Sequence, residues 1–175
     1  RADAPDAPTF PRLLAKHARF RVRINTVLGS PAPEEALEVA RMNVALHDVA
    51  GRVRVVESDL FTALAGECFD LILCNPPYVD AADMATLPAE YRHEPQLGLA
   101  AGADGLDLVR RILVDVVPHL DCDGLLVLEV GNSADALEHT FPQLAFVWPD
   151  LEHGGHGVAL IHAAELASGG ATLPA

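Results

Sequence analysis

Six consecutive residues, Phe69-Asp70-Leu71-Ile72-Leu73-Cys74, carry five apolar side chains and run straight into two prolines. A near-continuous apolar run of that length is the pattern of a strand buried on both faces, as in parallel sheets covered by helices. Asn75-Pro76-Pro77-Tyr78 stops it at once. Neither proline can donate to a sheet ladder, and Pro77 pushes Pro76 toward an extended backbone. The result is a rigid corner at the C-terminal end of a strand, where open α/β sheets place their ligands. This corner offers a side-chain amide, a backbone carbonyl and an aromatic ring, a set suited to gripping a planar –NH2 group.

The rest of the chain supplies the alternation such a sheet needs. Phe20, Val22 and Ile24 alternate with Arg21, Arg23 and Asn25 as in a half-buried strand. Glu34 to His47 reads as a helix, with Pro33 near its first turn and Ala36, Val39, Ala40 and Val44 on one face. Arg52 to Glu57 alternates as a strand, and Asp104 to Val117 reads as a helix turning Leu106, Val109, Ile112, Leu113 and Val116 inward before Pro118. Asp123-Gly124 turns into Leu125–Val130, a second buried strand, and Ala134 to Thr140 is a short helix. Ala145 to Trp148 and Val158 to His162 read as two closing strands. Residues 12–19 have room for two helical turns, 79–103 form a long mixed loop of the kind that is usually functional, and the stretch from Ala167 reads as an unordered tail. Strands alternating with helices predict an α/β sheet, largely parallel.

At 175 residues, half of them hydrophobic, the chain has room for one modest domain. No apolar run approaches the roughly 20 residues needed to span a bilayer, and residues 1–11, rich in proline and alanine, show no signal-peptide pattern. Cys68, Cys74 and Cys122 lack metal spacing, which fits a reducing cytoplasm, with Cys74 a buried structural thiol. The formal charge of −13 is unevenly spread: residues 1–30 hold six basic side chains against Asp3 and Asp6, and the remainder is strongly acidic. An acidic body argues against gripping a nucleic-acid backbone and tolerates a basic protein partner; it also simply favours solubility.

Phe69 through Tyr78 resembles the (Asn/Asp)-Pro-Pro-(Tyr/Phe/Trp) motif of class I S-adenosylmethionine-dependent methyltransferases that modify planar amino groups. Glutamine and DNA-adenine methyltransferases share that motif, so alone it fixes chemistry better than substrate. Leu87 through Pro95 and Gly102-Ala103-Asp104-Gly105-Leu106 resemble the HemK-related protein-glutamine methyltransferases. Leu128 through Ser133 and Glu152-His153-Gly154-Gly155 are similar to the branch that methylates a glutamine of large-subunit ribosomal protein L-three. The resemblance covers roughly residues 34 to 163. It implies a Rossmann-like class I sheet, S-adenosyl-L-methionine as cofactor, a basic ribosomal protein as substrate and a cytoplasmic setting, with neither DNA nor membrane as partner.

The resemblance also assigns roles. Asn75 and the Pro76 carbonyl accept the two amide hydrogens of the substrate, Pro77 stiffens the corner and Tyr78 walls the pocket. Asp59 contacts the adenine amino group with Leu60 beside the ring, and Asn75 borders the cofactor as well. From its spacing alone Asp59 reads equally well as a turn residue. Glu94 and His93 touch the substrate peptide or form a loop salt bridge with Arg92. His153 and His156 flank glycines as turn residues do, and Glu129, ending a buried strand, is a carboxylate in need of a partner.

The family's glycine-rich turn, Asp-x-x-x-Gly-x-Gly, has no counterpart here: Gly29 is the only glycine before Gly51, and the position of the family's ribose-binding acid falls near Pro31. The segments expected are therefore a basic, proline-rich, poorly ordered 1–33, a partial methyltransferase domain over 34–166 and an unordered 167–175. Such a sheet is N-terminally incomplete, as in a truncated or frame-shifted reading of a family member, with residues 20–27 as a substitute second strand. The functional alternatives are an inactive remnant that keeps the substrate-facing corner and, against the acidic charge, a DNA-adenine methyltransferase. Oligomeric state leaves no trace in the sequence.

Overall fold

The computed structural model describes residues 22–26, 34–78, 104–151 and 156–169. Expectations for residues 12–19, 79–103 and 152–155, Glu94 and His153 included, lie outside them. The described residues fall into two compact units, one holding the elements up to Glu57 and the other those from Ser58 onward.

The first unit is a strand–helix–strand crossover. β1 (Val22–Thr26) lies parallel to β2 (Val53–Glu57), in register from Val22 opposite Val53 to Thr26 opposite Glu57. Parallel neighbours need a crossover connection, and helix α1 (Glu34–Leu46) is it. The expected stripe along α1 is rotated. Leu37 is the buried residue, with Ala40 and Val44 half-buried at the positions three and seven along, whereas Ala36 is exposed and Val39 is 56% exposed. The pattern was ambiguous because Val39, Met42 and Leu46 form an equally regular apolar stripe on the outer face. The helix ends in a Schellman arrangement: Asp48 adopts φ 50°, its N–H donates to Ala45 O (3.1 Å), and Val49 N–H donates to Val44 O (3.1 Å).

The second unit contains a three-stranded sheet. β3 (Phe69–Cys74) is parallel to β4 (Leu120–Glu129), and β5 (Val158–His162) is antiparallel to β4 on its other side. Helix α2 (Asp107–Asp115) and a 3-10 turn at Val117–His119 connect β3 to β4; α3 (Ala134–Thr140) and α4 (Ala163–Gly169) follow β4 and β5. The five inward residues expected of α2 are all buried, none more than 1% exposed. One sheet face is closed: Leu126, Leu128, Ala159 and Ile161 are fully buried, and α4 packs on β4 and β5.

The other face overturns the expectation of a strand buried on both sides. Leu71 and Leu73 are 40% and 50% exposed, and Leu125, Val127 and Leu160 on the same face are half-buried. Among the described residues β3 pairs with β4 alone, and the face of the strand that carries Leu71 and Leu73 is left partly open. Two further boundaries move. β4 begins at Leu120, so Asp123-Gly124 is an irregularity inside the strand, where the pairing jumps from Phe69–Leu120 to Leu71–Leu125. Val147 makes a single bridge to Leu160 in place of a closing strand, and α4 continues through Gly169, three residues into the expected tail. Gly169 is held because it packs against Leu144, closely enough that a Cβ would lie 2.5 Å from Leu144 Cδ2.

Candidate functional site

Parallel pairing sets Cys74 opposite Leu128, so the segments leaving β3 and β4 emerge side by side at the carboxyl end of the sheet. Asn75 is exposed there, Pro76 is buried, and Pro77 and Tyr78 are half-buried. The double proline thus does what its chemistry dictates: it ends the ladder, anchors one ring in the protein and leaves the amide of Asn75 facing outward. The carbonyl of Tyr78 accepts a hydrogen bond from Ser133 Oγ (3.0 Å). Gly131 lies against the Tyr78 ring, so near that a Cβ on it would sit 2.5 Å from Cε2.

Beneath the corner, burial pushes the Cys74 thiol up to about 11, the physical signature of a protonated, structural cysteine. Glu129 ends β4 half-buried, and His156 is exposed beside Gly157. No group of three or more metal-ligating side chains occurs among the described residues, and no described helix is long and apolar enough to cross a membrane.

The second set of expected residues follows β2. Ser58 Oγ accepts from Ala63 N–H (2.9 Å), and Asp59 O accepts from both Thr62 N–H (3.1 Å) and Thr62 Oγ1 (2.9 Å), closing a tight turn. Leu60 is 2% exposed at φ 49°, its side chain turned into the core. The Asp59 carboxylate stays at the surface and is gripped by Arg111 Nη2, at 3.1 and 3.0 Å from its two oxygens. Both readings of Asp59 therefore have a physical basis: its backbone closes the turn while its carboxylate remains an outward acceptor.

Several contacts around these groups carried no signal in the sequence. His119 is buried, stacks on Phe61 (centroids 4.9 Å apart, planes 16° apart) and contacts Glu67 O through Nδ1 at 2.9 Å, tying the Ser58–Phe61 segment to the start of β4. Arg110, next to Arg111, holds Asp104 Oδ1 and Oδ2 (3.1 and 2.5 Å), and Asp104 Oδ1 also accepts from Leu106 N–H (3.1 Å). The Arg110 hydrogen bonds hold the Asp104 carboxyl below its ordinary value against partial desolvation, and they raise the guanidinium in turn. Of the expected site, Asn75, Pro76, Pro77 and Tyr78 form one contiguous corner, with Asp59 and Leu60 at a separate strand end.

Comparison with known proteins bears on the family and the fold. Residues 15–90 match the model of the methyltransferase small domain. The ribosomal protein uL3 glutamine methyltransferase of Francisella tularensis is 47% identical over 133 residues, which are 76% of this chain and 42% of that protein. Its namesake from Bordetella pertussis is 49% identical over 127 residues, 73% of this chain and 43% of that protein. The chain thus spans less than half the length of the curated relatives it matches. The crystal structure of a methyltransferase from Pyrococcus furiosus superposes with TM-score 0.57 at 19% identity, covering 86% of this chain and 66% of that one. The fold is the Rossmann-like fold of methyltransferases.

Proposed function

From that fold, and from close to half of its aligned residues shared with uL3 glutamine methyltransferases, we propose that this chain carries the substrate half of an S-adenosylmethionine-dependent enzyme that methylates a glutamine side-chain amide of large-subunit ribosomal protein uL3. One observation carries the reading. The Asn75-Pro76-Pro77-Tyr78 corner sits at the carboxyl end of a parallel strand, with Asn75 outward and Tyr78 braced from beneath.

The chemistry follows from what a glutamine amide lacks. Its nitrogen is a poor nucleophile because the lone pair is conjugated with the carbonyl. Asn75 Oδ1 and the Pro76 carbonyl accept its two hydrogens and so direct the lone pair outward, and holding that geometry accounts for most of the catalysis. Tyr78 walls the pocket and stacks on the planar amide. Glu94 is assigned to the substrate peptide, and the acidic chain, at a formal −13 overall, suits a basic partner.

S-adenosylmethionine supplies an electrophilic methyl group. The residues suit one end of it: the outward Asp59 carboxylate, steadied by Arg111, is an acceptor for an adenine amino group, and Leu60 fixes the turn that presents it. For the methionine end the first 33 residues offer no glycine-rich turn. That gap favours a second reading, in which the chain keeps the substrate corner without transferring methyl groups. The test is methyl transfer from labelled cofactor to purified uL3 by the wild-type chain and by Asn75→Ala, alongside calorimetric titration of the cofactor. Incorporation that Asn75→Ala abolishes supports the first reading. No cofactor binding at millimolar concentration, together with retention of uL3 on the immobilised chain, supports the second.

A further inference from the structure

We infer that Gly131, Gly157 and Ser133 are positioning residues for Tyr78, setting the height of its ring and with it the width of the slot that takes the planar amide. This deepens the function proposed above and rests on it for the identity of the slot's occupant. Two clamps hold Tyr78. Under the ring lies Gly131, at φ 49°, where a Cβ would be 2.5, 3.0 and 3.1 Å from Cε2, Cδ2 and Cζ. Under Gly131 lies Gly157, at φ 72°, where a Cβ would be 2.6 Å from both Gly131 Cα and Gly131 N and would strike Gly131 O. Val130 N–H donates to Gly157 O (2.8 Å), locking the two backbones together just where β4 ends and β5 begins. Ring, glycine and glycine form a stack in which neither glycine position admits a side chain, on grounds of space and of backbone conformation alike.

The second clamp acts on the main chain. Ser133 is 6% exposed and donates Oγ–H to Tyr78 O (3.0 Å). Gly105, at φ 76°, closes over this bond: a Cβ there would lie 2.5 Å from Tyr78 O and would strike Ser133 Oγ. Three glycines in left-handed backbone and a buried hydroxyl thus converge on one half-buried tyrosine. Burying half a ring does not call for that many constraints. They make sense if what matters is where the exposed side of the ring stands, because a reacting group displaced by about 1 Å can lose on the order of a hundredfold in rate.

The test uses the full chain with 3-fluorotyrosine in place of its two tyrosines, Tyr78 and Tyr91, the Tyr78 resonance being the one that Tyr78→Phe removes. Gly131→Ala and Ser133→Ala are compared with Gly51→Ala, a glycine with nothing within 4 Å of a built Cβ. Expected are a displaced Tyr78 fluorine resonance in the first two variants and an unmoved one in Gly51→Ala. Methyl transfer falls roughly tenfold to a hundredfold in kcat in the same two variants, with the KM for cofactor unchanged. Ser133→Ala removes one hydroxyl without adding volume, so it reports even where Gly131→Ala fails to fold. A Tyr78 resonance that stays in place in Ser133→Ala and in any folded Gly131→Ala overturns the inference, as does a displaced resonance with undiminished kcat. If the wild-type chain transfers no methyl group, the proposed function fails separately, and the fluorine signal still decides whether these residues set the ring.

Discussion

Truncating Leu73 and Leu128 to alanine separates the two faces of the β3–β4 sheet. The residues lie on adjacent paired strands, one place apart in register, with Leu73 50% exposed and Leu128 fully buried. At Leu128 the lost transfer free energy adds to a cavity the surroundings only partly fill, so Leu128→Ala is expected to cost about 3–4 kcal/mol. At Leu73 water fills the space, and half of a leucine burial worth about 1.5–3 kcal/mol leaves a cost of about 1 kcal/mol. With a urea slope of about 1–2 kcal/mol per molar, the midpoint drops by roughly 1.5–4 M for Leu128→Ala and by roughly 0.5–1 M for Leu73→Ala. Trp148 is the only tryptophan and lies in the same unit, its Nε1 donating to Glu138 Oε1 at 2.7 Å. Its fluorescence therefore follows this unit without contribution from the strand–helix–strand unit. A Leu73→Ala cost above about 2.5 kcal/mol, or one equal to that of Leu128→Ala, would falsify the open face and return β3 to the doubly covered strand its sequence suggests.

Three further outcomes are expected. Cys68 and Cys122 are exposed while the Cys74 thiol is pushed up to about 11, so at pH 8 alkylation followed by mass spectrometry should label the first two well before Cys74; equal rates would contradict its burial. The Asp104 carboxyl is lowered by its bonds to Arg110 and to Leu106 N–H, so the stability it contributes is full above the ordinary carboxylate value of 3.8 and is lost as pH falls through its lower folded value. Hydrogen exchange at Leu106, corrected for the intrinsic pH dependence, should lose protection across that acidic window, and Asp104→Asn should abolish the pH dependence. Arg111→Ala removes an ion pair whose partners are 50% and 59% exposed, so thermal stability should change by less than about 1 kcal/mol; a larger loss would make the pair structural rather than a support for the outward carboxylate.

What the sequence determined by itself was local. Apolar period and proline punctuation place β3, α2 and α3 within a few residues, because each depends on neighbours along the chain. The Asn75-Pro76-Pro77-Tyr78 corner was legible for the same reason: two prolines stop a strand wherever it lies. Element order was enough to predict strands mostly parallel and helices between them. Tertiary structure decided what depends on residues far apart in sequence. Leu37 rather than Val39 faces inward on α1 because two apolar stripes of equal regularity compete and only packing chooses between them. Asp59 meets Arg111, His119 meets Phe61, and Ser133 meets Tyr78 across separations of 52, 58 and 55 residues that no local pattern encodes. The exposure of Leu71 and Leu73 is likewise settled by what packs over that face of the sheet, since an apolar run states what a strand prefers to bury and tertiary packing decides how much of that is met.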